Sequence, residues 1–132
     1  MRNRASSVII ENNKVALIKR VRAGQEYYVF PGGGIEQDES PEQAAIRETF
    51  EELGVHVAIK GSLGIVNYNG LQSFFIAEVV GGVFGTGEGE EFKGECKNRG
   101  TYEPMWVELE QLSSLDVHPI EIAEKVSSLY RD

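Results

Sequence analysis

The stretch that decides the fold is Gly33-Gly34-Ile35-Glu36-Gln37-Asp38-Glu39-Ser40-Pro41-Glu42-Gln43-Ala44-Ala45-Ile46-Arg47-Glu48-Thr49-Phe50-Glu51-Glu52-Leu53-Gly54-Val55. Its centre reads as a helix with both ends marked. Ser40 can cap the start, Pro41 suits the first helical position, and Gln43 completes a capping box. Gly54 is placed to end the helix in a left-handed cap. Helical spacing gives an expected core face of Ala45 or Ile46, Thr49, Phe50 and Leu53. Glu48, Glu51 and Glu52 lie at i, i+3 and i+4 and so share one side. They occupy the last two turns, where the helix dipole is negative and each carboxylate costs about 0.3–1 kcal/mol. Like charges at i, i+4 add about 0.2–0.5 kcal/mol. Arg47 can reach Glu51, but one cation does not neutralise three anions. Local preference and sequence disagree here, as they do at functional sites. A bound divalent cation resolves the conflict, and an all-oxygen donor set suits Mg²⁺ or Mn²⁺ rather than zinc or copper. Taken alone, three glutamates on a helix are also compatible with a solvated acidic face.

Outward from this helix the chain reads as strands. Ser7–Ile10 and Val15–Ile18 are apolar runs separated by Glu11-Asn12-Asn13-Lys14, a hairpin signature. Tyr27–Phe30 is a short aromatic and β-branched run that stops at Pro31 and Gly32-Gly33-Gly34. After the helix, Val55–Val66 reads as extended with a break at Gly61-Ser62, and Asn69-Gly70 turns into Phe74–Val80. Gly81–Gly100 is rich in Gly, Glu and Lys and is long for a connection. Met105–Val107 is expected to be a final strand. Pro119–Tyr130 is expected to be a closing helix with Ile122, Val126, Leu129 and Tyr130 on one face. Strands with two main helices indicate an α/β layered fold with a mixed sheet.

The 132 residues amount to 14.6 kDa, one domain's worth of chain, and neither a repeat nor an interdomain linker is apparent. With 41% hydrophobic and 26% charged residues the composition is that of a globular protein. No apolar run approaches the ~20 residues of a membrane span. A single cysteine, Cys96, rules out an intrachain disulfide framework, and with no sign of a signal peptide a cytoplasmic location is expected. The net charge of −8 argues against duplex nucleic acid as a partner. A phosphate ligand therefore needs a local basic patch or a cation. G-x-x-x-x-G-K-[ST], the dinucleotide fingerprint and H-E-x-x-H are all missing.

Gly33, Glu39, Arg47, Glu48, Glu51, Glu52, Gly54 and Val55 fall at the positions of G-x5-E-x7-R-E-U-x-E-E-x-G-U, where U is aliphatic. This resembles the Nudix box of the Nudix (MutT-like) hydrolases, and Tyr28-Val29-Phe30-Pro31-Gly32 is similar to the strand that enters it. Thr49 departs, standing where an aliphatic residue is usual, and is read as a packing variation. The resemblance implies a Nudix-type α/β/α sandwich over residues 1–132, with the box at 33–55. It implies Mg²⁺-dependent hydrolysis, with Mn²⁺ as a substitute, of a nucleoside diphosphate linked to another moiety. A nucleoside triphosphate is favoured as substrate, with ADP-ribose or a dinucleoside polyphosphate as alternatives. A non-catalytic nucleotide-binding module is the competing class, and a protein-interaction domain using the Gly81–Gly100 loop is a third.

Carried over by position, Glu51 and Glu52 are implied metal ligands, and the Gly32 carbonyl can add a further one. Glu48 is implied to orient or deprotonate water or to bind a second metal. Arg47 is implied to hold the glutamates by ion pairing, while Glu39 is either a peripheral metal contact or a structural partner. Several family members take another glutamate from outside the box. Glu91 is favoured for that role over Glu88, Glu90 and Glu95. The family resemblance also leaves a homodimer open.

Beyond the box, strand alternation puts Arg20 and Arg22 on one face, where they can meet substrate phosphates. Tyr27, Tyr28 or Tyr68 could stack on a base, and Tyr28 is taken as the substrate contact, although strand aromatics are commonly core. Trp106 is expected in the core, and His118 is expected to be structural or exposed. A covalent Cys96–His pair, using His56 or His118, is disfavoured by their separation in sequence.

Overall fold

A computed structural model describes residues 3–87 and 101–130. Eight strands and two helices occur in the order β1 (Arg4–Glu11), β2 (Lys14–Arg22), β3 (Gln25–Val29), β4 (Gly32–Gly34), α1 (Pro41–Leu53), β5 (Val55–Asn67), β6 (Leu71–Gly82), β7 (Thr101–Glu108), β8 (Val117–His118) and α2 (Ile120–Leu129) among the described residues. A 3₁₀ helix, Leu109–Ser114, joins β7 to β8. The sheet is mixed and curled, and β1 is its hinge. The first residues of β1 pair with β4 on one edge and run parallel to β6 on the other, while its last two residues pair with β2. Strand β2 continues to β3 and β7, and β3 to the two-residue β8. Asn12 and Asn13 both take positive φ in the two-residue turn between β1 and β2, as the sequence anticipates.

The alternation of β1 separates the layers. Val8 faces a cluster with Leu17, Phe74 and the α2 residues Ile122, Ala123 and Val126. Ala5 and Ile9 face the other side, where Ala44, Ala45 and Leu53 of α1 pack. The result is the helix–sheet–helix sandwich expected from the resemblance.

Helix α1 starts and stops where its sequence says. Ser40 Oγ accepts from the Gln43 N–H at 3.1 Å, and Gln43 Oε1 accepts from the Ser40 N–H at 2.8 Å. Gly54 closes the helix at φ +81°. Several expectations need correction. Phe50 is not core: it is 44% exposed and stacks on His56 with ring centroids 4.3 Å apart. The buried arc is instead Ala44, Ala45, Thr49, Glu52 and Leu53, because the helix turns a carboxylate inward. Leu129, 60% exposed, and Tyr130 lie off the face that α2 packs with. Strand β5 runs through Gly61-Ser62, absorbing the irregularity as register shifts against β6. Met105–Val107 belongs to β7 and is not the last strand. Trp106 is partly buried and stacks on Phe84.

The departure at Thr49 has a local cause. Thr49 Oγ1 and Ser7 Oγ lie 2.7 Å apart, and both residues are fully buried. An aliphatic residue at 49 would leave the Ser7 hydroxyl without this partner. Thr49→Val is therefore expected to lower unfolding free energy by about 1–3 kcal/mol. Adding Ser7→Ala should recover most of that loss in urea denaturation, and two additive losses would show that the pair is not coupled.

Candidate functional site

The box glutamates are organised by one guanidinium. Arg47 Nε and Nη2 donate to the two oxygens of Glu39 at 2.8 and 2.9 Å. Nη2 also donates to the Gly34 carbonyl at 3.0 Å, tying the helix to the end of β4. Nη1 donates to Glu48 Oε2 at 3.0 Å and, more distantly, to Glu51 Oε2 at 3.4 Å. The planar fork of arginine makes such multiple pairing possible where lysine could not. Hydrogen bonding to Arg47, followed by the Glu36 N–H, holds the Glu39 carboxyl at about 2, well below its ordinary 4.5. The Glu39 bond raises the Arg47 pKa in turn.

Glu52 is placed differently. It is only 5% exposed, and its Oε1 accepts from the Gly32 N–H at 2.8 Å. The Glu48 carboxylate lies against Gly33, where any Cβ would collide with it. Gly33 thus lets the backbone approach the Glu48 carboxylate closely, and the adjacent Gly32 N–H meets that of Glu52. No basic residue offsets the negative end of α1 in its last turn. Its final carbonyls are met by the chain after β6, where Gly85 N–H donates to Leu53 O at 2.8 Å and Val83 N–H to Gly54 O at 3.1 Å.

Glu48, Glu52 and Gly32–Gly34 line one cavity of about 970 Å³. Arg4, Arg20 and Arg22 line the same cavity, with Tyr68, Tyr102 and Gln72. Arg20 and Arg22 thus share one face, as expected from strand alternation, and that face lines the cavity that Glu48 and Glu52 also line. Tyr28 is not: it is buried in the cluster that packs on α2 and is absent from the cavity lining. The β2–β3 register explains this, because Arg20 pairs with Tyr27 while Tyr28 pairs with Lys19 on the opposite face. His118 lines the cavity beside Asp116, which the sequence reading did not consider, and so do Arg4, Gln72 and Tyr102. Only the β7–β2 register, with Tyr102 opposite Arg20, would have revealed Tyr102. Glu91, with Glu88, Glu90, Glu95 and Cys96, lies outside the described residues.

Among the described residues, no three His, Cys, Asp or Glu side chains converge into a group that could hold a metal ion. The carboxylates instead rest on Arg47 and the Gly32 N–H. Even so, Glu48, Glu51, Glu52 and the Gly32 carbonyl all offer hard oxygens. Magnesium usually takes one or two carboxylates from protein and the rest of its shell from water and phosphate. Glu52 and the Gly32 carbonyl, both at the cavity, offer oxygens of that kind, while Glu51 is not among the lining residues.

The stabilisation from Glu39 is present above its unfolded pKa and is lost as pH falls towards about 2. Glu39→Gln should therefore lower stability at pH 6 by on the order of 1 kcal/mol. The gap to wild type should narrow by pH 3 in denaturant titrations, and a gap that is constant with pH would contradict the assignment.

A family model for the NUDIX domain matches residues 1–128. An RNA pyrophosphohydrolase of Psychromonas ingrahamii is 46% identical over 48 residues, which is 36% of this chain and 26% of that relative. A MutT NUDIX hydrolase of Burkholderia pseudomallei is similar in structure, with a TM-score of 0.69 and 25% identity over 92% of this chain and 94% of the other. An ADP-ribose pyrophosphatase of Streptococcus suis shares the fold at a TM-score of 0.71 and 17% identity, covering 99% and 92% of the two chains. Nudix hydrolases generally use divalent metals. With Glu39, Glu48 and Glu51 gathered around Arg47 and a family match over nearly its full length, the chain belongs to the Nudix family.

Proposed function

We propose that this chain hydrolyses the pyrophosphate linkage of a nucleoside diphosphate carrying a further group, in a Mg²⁺-dependent reaction with water as the nucleophile. The observation that carries this reading is the shared cavity, in which Glu48 and Glu52 face the same space as Arg4, Arg20 and Arg22. An anionic substrate is drawn to the arginines, whereas the glutamates alone would repel it. Glu51, Glu52 and the Gly32 carbonyl would hold the divalent ion. When bound, such an ion neutralises phosphate charge and makes water a better nucleophile.

The chain's own groups do the rest. Glu48, kept in place by Arg47 and Gly33, positions the attacking water and accepts its proton. Arg47 does not touch substrate; it sets the directions of Glu48 and Glu51. Arg22 and Arg4 hold phosphate oxygens during in-line displacement, so that the other phosphate leaves. Most of the rate gain then comes from placement and charge stabilisation. A nucleoside triphosphate or related polyphosphate is the first substrate reading. ADP-ribose is the second reading, supported by the similar Streptococcus suis structure. We place residues 1–132 in one catalytic domain acting in the cytoplasm, with Glu91 as a further metal contact.

The test is a panel of nucleoside triphosphates, oxidised dGTP, ADP-ribose, dinucleoside polyphosphates and sugar nucleotides, assayed with Mg²⁺ and with chelator. Glu52→Gln and Glu51→Gln should each lower turnover by about 10²–10⁴-fold, and chelation should abolish it. An inactive wild type across the panel, matching Glu52→Gln, would remove the proposal.

A further inference from the structure

One feature of the cavity is not accounted for by metal or phosphate binding. Four neighbouring strands bring a cation and three rings into one connected array. Tyr102 on β7, Arg20 on β2 and Tyr27 on β3 lie on a single cross-strand rung. The Arg20 guanidinium sits 3.7 Å from the centre of the Tyr102 ring and 5.8 Å from that of Tyr27. Its Nε–H donates to the Thr101 carbonyl at 3.0 Å. Tyr27 in turn meets His118 of β8 edge to face at 5.4 Å, and His118 Nε2 is 2.8 Å from Asp116 Oδ1. Tyr102, Arg20, His118 and Asp116 all line the cavity that holds Glu48 and Glu52.

Arg20 is therefore held over the Tyr102 ring by its own strand neighbours. A guanidinium held on a tyrosine face is a poor mobile clamp for phosphate but a good planar ledge. Aromatic heterocycles stack on such surfaces, and preorganisation lowers the entropy cost of binding. The array is also set back from the cleavage site. His118 pairs with Val29, three residues before Gly32 and so at most about 10 Å away at ~3.3 Å per residue, and the Arg20–Tyr102 rung lies at Tyr27, two residues farther. A nucleoside together with its diphosphate spans a distance of this order, so the ledge lies on the side to which a base would extend when the outer phosphate sits at Gly32 and Glu52.

We infer that the Tyr102–Arg20 pair is the base-binding ledge of this chain, with His118, oriented by Asp116, at its edge to hydrogen-bond the base or ribose. The inference deepens the hydrolase reading by naming its nucleoside subsite, yet it can be tested without turnover. AMP, GMP, CMP, UMP and ribose 5-phosphate are titrated against the full chain in magnesium buffer by saturation-transfer NMR. Ribose 5-phosphate carries the same phosphate and sugar without a base. At least one nucleoside monophosphate should bind about tenfold tighter than ribose 5-phosphate. Arg20→Met and Tyr102→Leu should each erase that advantage while leaving ribose 5-phosphate binding within twofold, and Tyr102→Phe should keep it. Unchanged thermal unfolding guards against misfolded variants. Equal wild-type affinity for all five compounds, or an equal loss of ribose 5-phosphate binding in the variants, would overturn the inference. A chain that prefers a nucleotide through this ledge but cleaves none of the panel would sink the hydrolase reading alone.

Discussion

The site depends on how one arginine distributes its hydrogen bonds. Arg47 joins Glu39, Gly34, Glu48 and Glu51, linking the loop before α1 to the end of that helix. Three glutamates near a negative helix terminus would otherwise repel one another and the dipole. The guanidinium spreads its charge over the first two of them and pins the loop with its remaining donors. Glu52 is excluded from this network and is held by a backbone N–H in a buried position. The separation matters chemically: one carboxylate is fixed against the glycine loop, and two are oriented from the arginine.

How much of this was legible in the sequence follows from range. The helix boundaries were readable because capping is decided by residues three positions apart, and the hairpin turn at Asn12-Asn13 is equally local. The core face of α1 was not. A hydrophobic pattern places Phe50 inside, whereas the helix is rotated to bury Glu52 and bring Glu48 against Gly33. A buried carboxylate takes the place of an apolar side chain at that point. Thr49, a departure from the motif, turned out to be matched by Ser7, forty-two residues away and invisible without the β1–α1 contact.

The cavity wall was the least legible part. Alternation along β2 correctly set Arg20 and Arg22 on one face, but which aromatic joins them depends on register with β3 and β7. Tyr28 is one position out of phase with Arg20, and Tyr27 and Tyr102 are in phase. Strand β8 has two residues, too few for any sequence pattern, yet it is what carries His118 to the cavity. The box thus encodes the acidic end of the site locally, while the basic and aromatic end exists only through long-range pairing.

The central claim is that this anionic chain acts on an anionic substrate by holding a hard dication at the end of α1. Isothermal titration with magnesium or manganese, in the presence of a nucleoside monophosphate, tests it most directly. The account predicts saturable uptake that is lost in Glu52→Gln and weakened in Arg47→Ala, where the glutamates lose their common anchor. No uptake by the wild-type chain, or uptake indifferent to Glu52, would contradict it.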